Sequence, residues 1–211
     1  PSVTRGEAWS ITGRLYDADT AGSPGLVGRS INVELDGVVA TTVITGTSGL
    51  FSFELPADSS ITRGEHQIAV KFQGEELYLP AIANSSVLVR ANIDVQVIWS
   101  DASVIRSDQN NPIRIEGRVV EVGGDSEIVS EIEVTLSWNG QSRPASVTWD
   151  EVTGHFEIEA PSLEFYPPGD LVTTITATPS ASSYLNEGSV NHTILMLSLI
   201  HISEPTRPVP I

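Results

Sequence analysis

The chain has 211 residues and a formal net charge of −16, from 27 acidic and 11 basic side chains. A field of that sign repels nucleic acid and anionic membranes, and the lack of cysteine excludes disulfides and thiolate metal sites. No apolar run approaches the roughly 18 residues of a bilayer-spanning helix, so direct membrane insertion of this segment is excluded too.

Apolar residues recur at every second position, the spacing of half-buried strands. Trp9, Ile11 and Leu15 share one parity, and the turn residues Gly22-Ser23-Pro24-Gly25 follow. Ile31, Val33 and Leu35 form the next row. Asp36-Gly37 then predicts a two-residue type I′ hairpin, because both residues tolerate positive φ. Thr47-Ser48-Gly49 leads into Phe51, Phe53 and Leu55, and Arg63-Gly64 into Ile68, Val70 and Phe72. Val87 and Val89 close this half. A run from Ile93 to Trp99 opens the next, followed by Ile113 and Ile115. Ile132, Val134, Leu136 and Trp138 run into a second hairpin signal, Asn139-Gly140. Phe156 and Ile158, then Leu171, Ile175 and Ala177, then Ile194 and Met196 complete the rows. No stretch sustains helical spacing, so the chain is all-β, with short strands and antiparallel turns that predict face-to-face sandwiches.

The chain also repeats itself. Gly49-Leu50-Phe51-Ser52-Phe53 returns as Gly154-His155-Phe156-Glu157-Ile158, and Gly13-Arg14-Leu15 as Gly117-Arg118-Val119. Gly64 is answered by Gly169, and Tyr78-Leu79 by Tyr184-Leu185. The offset drifts only from 101 to 107 residues. That is far longer than a solenoid unit of about 20–50 residues and matches one small domain. We therefore expect tandem modules at 1–91 and 92–196, with residues 197–211 as a non-native tail. The first copy holds six basic and ten acidic residues, net −4, and the second four and sixteen, net −12. The run from Ile93 to Trp99 precedes the counterpart of Ser2-Val3 and has no match in the first copy. The first module is accordingly expected to lack its first strand. The junction after Arg90 holds no flexible linker, which predicts semi-rigid, end-to-end modules.

Gly13-Arg14-Leu15, Val27-Gly28-Arg29-Ser30-Ile31-Asn32-Val33 and Thr45-Gly46-Thr47-Ser48-Gly49-Leu50-Phe51 resemble prokaryotic immunoglobulin-like repeats. They are similar as well to carboxypeptidase-regulatory-like modules. The resemblance covers most of the first copy and, more faintly, the second. It departs at Thr178-Pro179-Ser180-Ala181-Ser182, where the first copy's Gly74-Glu75-Glu76 has no equivalent. It implies two tandem immunoglobulin-like antiparallel β-sandwiches within a long secreted or surface-attached protein. The segment from Leu197 to Arg207 resembles a translated sequencing adapter, so His201 is set aside as a ligand.

The residues that could carry chemistry are few. His66, His155 and His192 are scattered, and no nucleophile elbow, zinc-binding helix motif or phosphate-cradling loop accompanies them. The expectation is therefore no enzyme and no cofactor. Hard cations take clustered oxygens, which makes Asp17 and Asp19 the candidate calcium ligands, with Asp101, Asp125 and Glu127 as candidates in the second copy. Exposed tryptophan faces could stack on sugars, and Trp99 and Trp149 are freer of the core parity than Trp9 and Trp138. Asn84-Ser85-Ser86 and Asn191-His192-Thr193 fit the glycosylation pattern, just ahead of the final strand of each copy.

These readings converge on a non-catalytic spacer of an extracellular or cell-surface protein. Its partners would be neighbouring domains of the same polypeptide, with surface glycans or proteins as further partners and no nucleic acid. The alternative is an adhesin or carbohydrate-binding accessory module of a secreted enzyme.

Overall fold

A computed structural model describes residues 1–56, 60–106, 112–123, 132–161 and 167–198. The chain divides into two compact units. The first comprises Pro1–Asn92 with Glu121–Asp125 and Ser180–Asn186, and the second Ile93–Val120 with Ser126–Pro179 and Glu187–Ile211. The expected tail lies outside the described residues from 199 onward.

The first unit holds β1 (Ser2–Thr4), β2 (Ala8–Arg14), β3 (Ser30–Leu35), β4 (Val38–Ile44), β5 (Leu50–Pro56), β6 (Gly64–Phe72) and β7 (Ala81–Arg90). One sheet runs β1-β7-β6-β3-β4 and the other β2-β5. Trp9, Val33, Phe53, Leu55, Ile68, Val87 and Val89 form its buried cluster, and each belongs to a row marked by the alternation of the sequence. The β3–β4 connection has φ of 51° at Asp36 and 82° at Gly37, the left-handed pair that a type I′ hairpin requires.

The second unit holds β8 (Ile93–Ser100), β9 (Ser103–Ile105), β10 (Ile113–Glu121), β11 (Ile132–Trp138), β12 (Gln141–Ser142), β13 (Ser146–Asp150), β14 (His155–Ala160), β15 (Gly169–Pro179) and β16 (Gly188–Leu197). Its sheets run β13-β14-β10-β8 and β12-β11-β15-β16-β9. Ile113, Ile115, Ile158, Leu171, Ile175 and Ile194 are fully inaccessible. Asn139 and Gly140 again have positive φ, 52° and 69°.

Both units are thus β-sandwiches. Each contains one parallel strand pair among the described strands. β1 runs parallel to β7, with Val3 opposite Val89, and β9 runs parallel to β16, with Val104 opposite Met196. These three-residue strands bury Val104 fully and Val3 partly. Helix is confined to single 3₁₀ turns at Thr47–Gly49 and Ala181–Ser183 among the described residues.

Candidate functional site

The acidic loop of the first unit follows β2. Asp17 Oδ1 accepts the Asp19 N–H at 3.0 Å, and Oδ2 accepts the Thr20 hydroxyl at 2.6 Å. The Thr20 hydroxyl, and after it the Asp19 amide, hold the Asp17 carboxyl below its ordinary pKa by favouring the charged form. Asp150 does the same in the second unit, accepting the Val152 N–H at 2.9 Å and the Thr153 hydroxyl at 2.7 Å. The shared Asp-x-x-Thr spacing closes a turn on its own carboxylate. It is a local motif, legible in the sequence itself. Asp101 accepts the backbone N–H of Arg114 at 3.0 Å, while Asp125 and Glu127 lie outside the described residues. No group of three or more His, Asp or Glu side chains able to hold a metal ion occurs among the described residues.

The two candidate ligand tryptophans are kept apart. Trp99 is 47% exposed on β8. Trp149 is half-buried on β13, directly opposite the buried Phe156 of β14. Its indole N–H is buried without a hydrogen-bond partner among the described residues. β8 and β13 are the two edges of one four-stranded sheet, about 14 Å apart at ~4.8 Å per strand step. The rings therefore form no shared platform. Trp9 is buried and Trp138 half-buried, with the Arg143 guanidinium 5.0 Å from the Trp138 ring.

Asn84 and Asn191 are exposed, and each is the fourth residue of the last strand of its repeat. Both motifs lie inside β7 and β16 rather than ahead of them. The reason is that β6 and β15 pair with these strands along their full length, from Phe72–Ala81 and Ala177–Gly188 onward. Asn191 Oδ1 accepts the Thr174 hydroxyl at 2.9 Å.

The three histidines among the described residues have separate surroundings. His66 is buried, donating from Nδ1 to Asp36 Oδ2 at 2.6 Å and from Nε2 to the Thr62 carbonyl at 2.7 Å. Both partners are acceptors, so the imidazolium satisfies the geometry in full. Burial pulls the His66 pKa down, but the bonds to Asp36 and Thr62 and the Asp36 charge outweigh it and raise the value. His192 Nε2 shares a 2.7 Å hydrogen bond with Ser100 Oγ, and burial depresses its pKa. This bond fastens β8 to β16, residues 92 apart in sequence. His155 is exposed on β14, opposite Asp150 on one side and Arg118 on the other. No two of the histidines among the described residues share a site, and the strand alternation alone did not reveal the His66 and His192 pairings.

No protein-family model and no curated protein sequence matches the chain. Among solved structures, a variant three-immunoglobulin-domain fragment of titin superposes with a TM-score of 0.51 at 8% identity, over 95% of this chain and 62% of that one. A four-domain ectodomain fragment of ICAM-5 gives 0.48 at 11% identity, over 97% of this chain and 54% of that one. A tetra-tandem repeat from the extending region of a large adhesion protein gives 0.38 at 14% identity, over 88% and 50%. The chain thus spans less than two thirds of these structures. The titin likeness shows the fold: both units are immunoglobulin-like sandwiches.

Proposed function

We propose that this chain is a non-catalytic spacer in a long extracellular or cell-surface polypeptide, where it sets the distance between other domains. The observation that carries this reading is the tandem repetition of one sandwich across a two-residue junction. β7 ends at Arg90 and β8 begins at Ile93. A junction that short leaves little rotational freedom, whereas Gly/Ser linkers behave as flexible coils. The acidic surface supports solubility and keeps the segment off anionic membranes. Among the described residues, no helix is long and apolar enough to cross a membrane. Neighbouring domains of the same polypeptide are the partners of this reading, and glycans on Asn84 and Asn191 would project from exposed strand positions.

Small-angle X-ray scattering of the full chain tests the proposal. A single narrow distance distribution, unchanged between low and high salt, is the expected result. A broad distribution from freely reorienting units would overturn it.

The exposure of Trp99 favours one second reading, an adhesin or carbohydrate-binding module. Its test is a glycan array with Trp99→Ala as the control. Retained Trp99-dependent binding supports it, and no binding at millimolar glycan retires it. Calcium at Asp17 and Asp19 belongs to the same question. A melting temperature raised by calcium in the parent chain, and not when both aspartates are replaced by Asn, would establish that site.

A further inference from the structure

The two units differ at one edge. In the second, β8 pairs with β10, and its Ile93 and Val95 are buried. The strand lies close against two glycines. A Cβ on Gly188 would come within 2.6 Å of the Ile93 carbonyl oxygen, and one on Gly117 within 2.5 Å of the Gln96 carbonyl oxygen. Asp101, just past β8, donates its N–H to the Arg114 carbonyl at 3.1 Å and accepts the Arg114 N–H on its carboxylate.

In the first unit β2 is the counterpart of β10. Gly13 stands where Gly117 does, each directly opposite a phenylalanine, Phe51 or Phe156. Among the described residues β2 pairs with β5 alone. The Leu15 N–H to Gly49 carbonyl bond sets the phase of that ladder, so the backbone groups of Ser10, Thr12 and Arg14 point away from β5. Ser10 corresponds to Arg114, whose outward groups Asp101 satisfies in the second unit.

The facing strand is uncovered along the same line. Every residue from Ala81 to Ser85 on β7 is exposed, whereas the start of β16 alternates between half-buried and exposed positions. Ala81, Ala83 and Ser85 share parity with the buried Val87 and Val89 and so belong to the inward row. Between this row and the end of β2 runs a groove of about 340 Å³, lined by Leu15, Tyr16, Phe51, Phe72, Ala81 and Ala83 among others. Its lining residue Ala81 is the counterpart of Gly188, against which Ile93 lies in the other unit.

We propose that this groove and the β2 edge form an acceptor site for an extended strand with aliphatic residues at alternate positions. The strand is a neighbouring segment of the same long polypeptide, a source that rests on the spacer reading, while the acceptor groove itself does not. It lies on β2 as β8 lies on β10. Its backbone pairs with Ser10, Thr12 and Arg14, its inward side chains fill the groove, and it runs on into β1 as β8 runs on into β9. Main-chain pairing supplies affinity and the alternate side chains supply selectivity, as in β-strand addition generally.

The probe is a synthetic peptide with the sequence of β8, Ile-Asp-Val-Gln-Val-Ile-Trp-Ser, titrated into the isotope-labelled full chain. Amide shifts at Ser10, Thr12, Ala81 and Ala83, with slowed hydrogen exchange at Ser10 and Thr12, are expected. Ala83→Arg places a long cation in the groove at a position the sandwich leaves exposed, and should bind about tenfold or more weakly. Fusing the same eight residues ahead of Ser2 through an Asp-Ala spacer should protect the edge and abolish binding of added peptide. No shift at millimolar peptide would overturn the proposal. So would shifts confined to Arg114, Gly117 and Gly188, which would mean exchange with β8. A dimer of the free chain that the peptide fails to dissociate would assign the edge to a second copy instead. Scattering reads the spacer role separately, so failure of either reading is seen on its own.

Discussion

Gly13 and Phe51 face each other across β2 and β5, and the phenylalanine ring lies over the glycine so closely that a Cβ there would sit 2.2 Å from Cζ. The second unit repeats the arrangement with Gly117 and Phe156 at 2.3 Å. A glycine in a strand interior weakens it unless something approaches closely, and here the ring covers the bare backbone. The glycine–phenylalanine pair, conspicuous as a repeated motif, is a packing device.

Replacing either glycine by alanine should therefore force the ring out of place. The three atoms nearest a Cβ at Gly13 all belong to the Phe51 ring, and overpacking of this kind destabilises by about 1–3 kcal/mol. Gly117→Ala meets the Gln96 carbonyl as well, a backbone atom that cannot rotate away. Urea denaturation followed by tryptophan fluorescence should show a larger loss for Gly117→Ala than for Gly13→Ala.

His66 and His192 predict opposite pH responses. His66 has a raised pKa, so its contribution is complete below the ordinary value of 6.5 and is lost as pH rises through the folded value. The His66 hydrogen bond, then the Gln67 amide, lower the Asp36 pKa, so its contribution holds above 3.8 and fails as pH falls through the folded value. The pair thus favours the first unit between those limits. His192 has a lowered pKa, so its contribution is present above 6.5 and is lost as pH falls through the folded value. Proton-detected histidine titrations should place His66 above and His192 below 6.5, the ordinary value for both. His66→Gln should remove the alkaline loss of stability in the first unit and leave the acid loss in the second.

Glu34 is nearly buried, and its carboxylate lies 2.6 Å from Nζ of Lys71, the single lysine of the chain. Removing the lysine leaves that carboxylate without its charge partner, which costs more than removing both. Because Lys71 is one-third exposed, solvent screening keeps the effect near 1 kcal/mol. Lys71→Met should lower the melting temperature, and the Glu34→Gln, Lys71→Met double substitution should recover most of the loss.

On the outward face of the second unit Glu116 stands directly opposite Glu157. Like charges so placed repel, and an opposite-charge pair is better by roughly 0.2–1 kcal/mol. Glu116→Lys should raise the melting temperature of the chain at low ionic strength, with the gain shrinking as salt is added. An unchanged melting temperature at low salt would show that solvent already screens the pair.

Much of this architecture was written locally. Alternation is a steric property of the extended backbone, so Ile31 and Val33, or Phe156 and Ile158, declared their inward faces without reference to any partner. Positive φ is likewise a property of single residues, which is why Asp36-Gly37 and Asn139-Gly140 marked their hairpins. Pairing across the fold is a different kind of fact. That Asp36 would hold His66, or Ser100 meet His192, depends on strand order and register, which periodicity does not encode. The same holds for the candidate tryptophans. Trp99 and Trp149 looked alike by parity, yet the sheet order put them on opposite edges, and the row of Phe156 half-buried one of them. That the first copy has no counterpart of Ile93–Trp99 was legible in the sequence, but which backbone groups this leaves unpaired beside Gly13 was decided by the fold, because an unpaired backbone group is a relation between strands and not a property of any one.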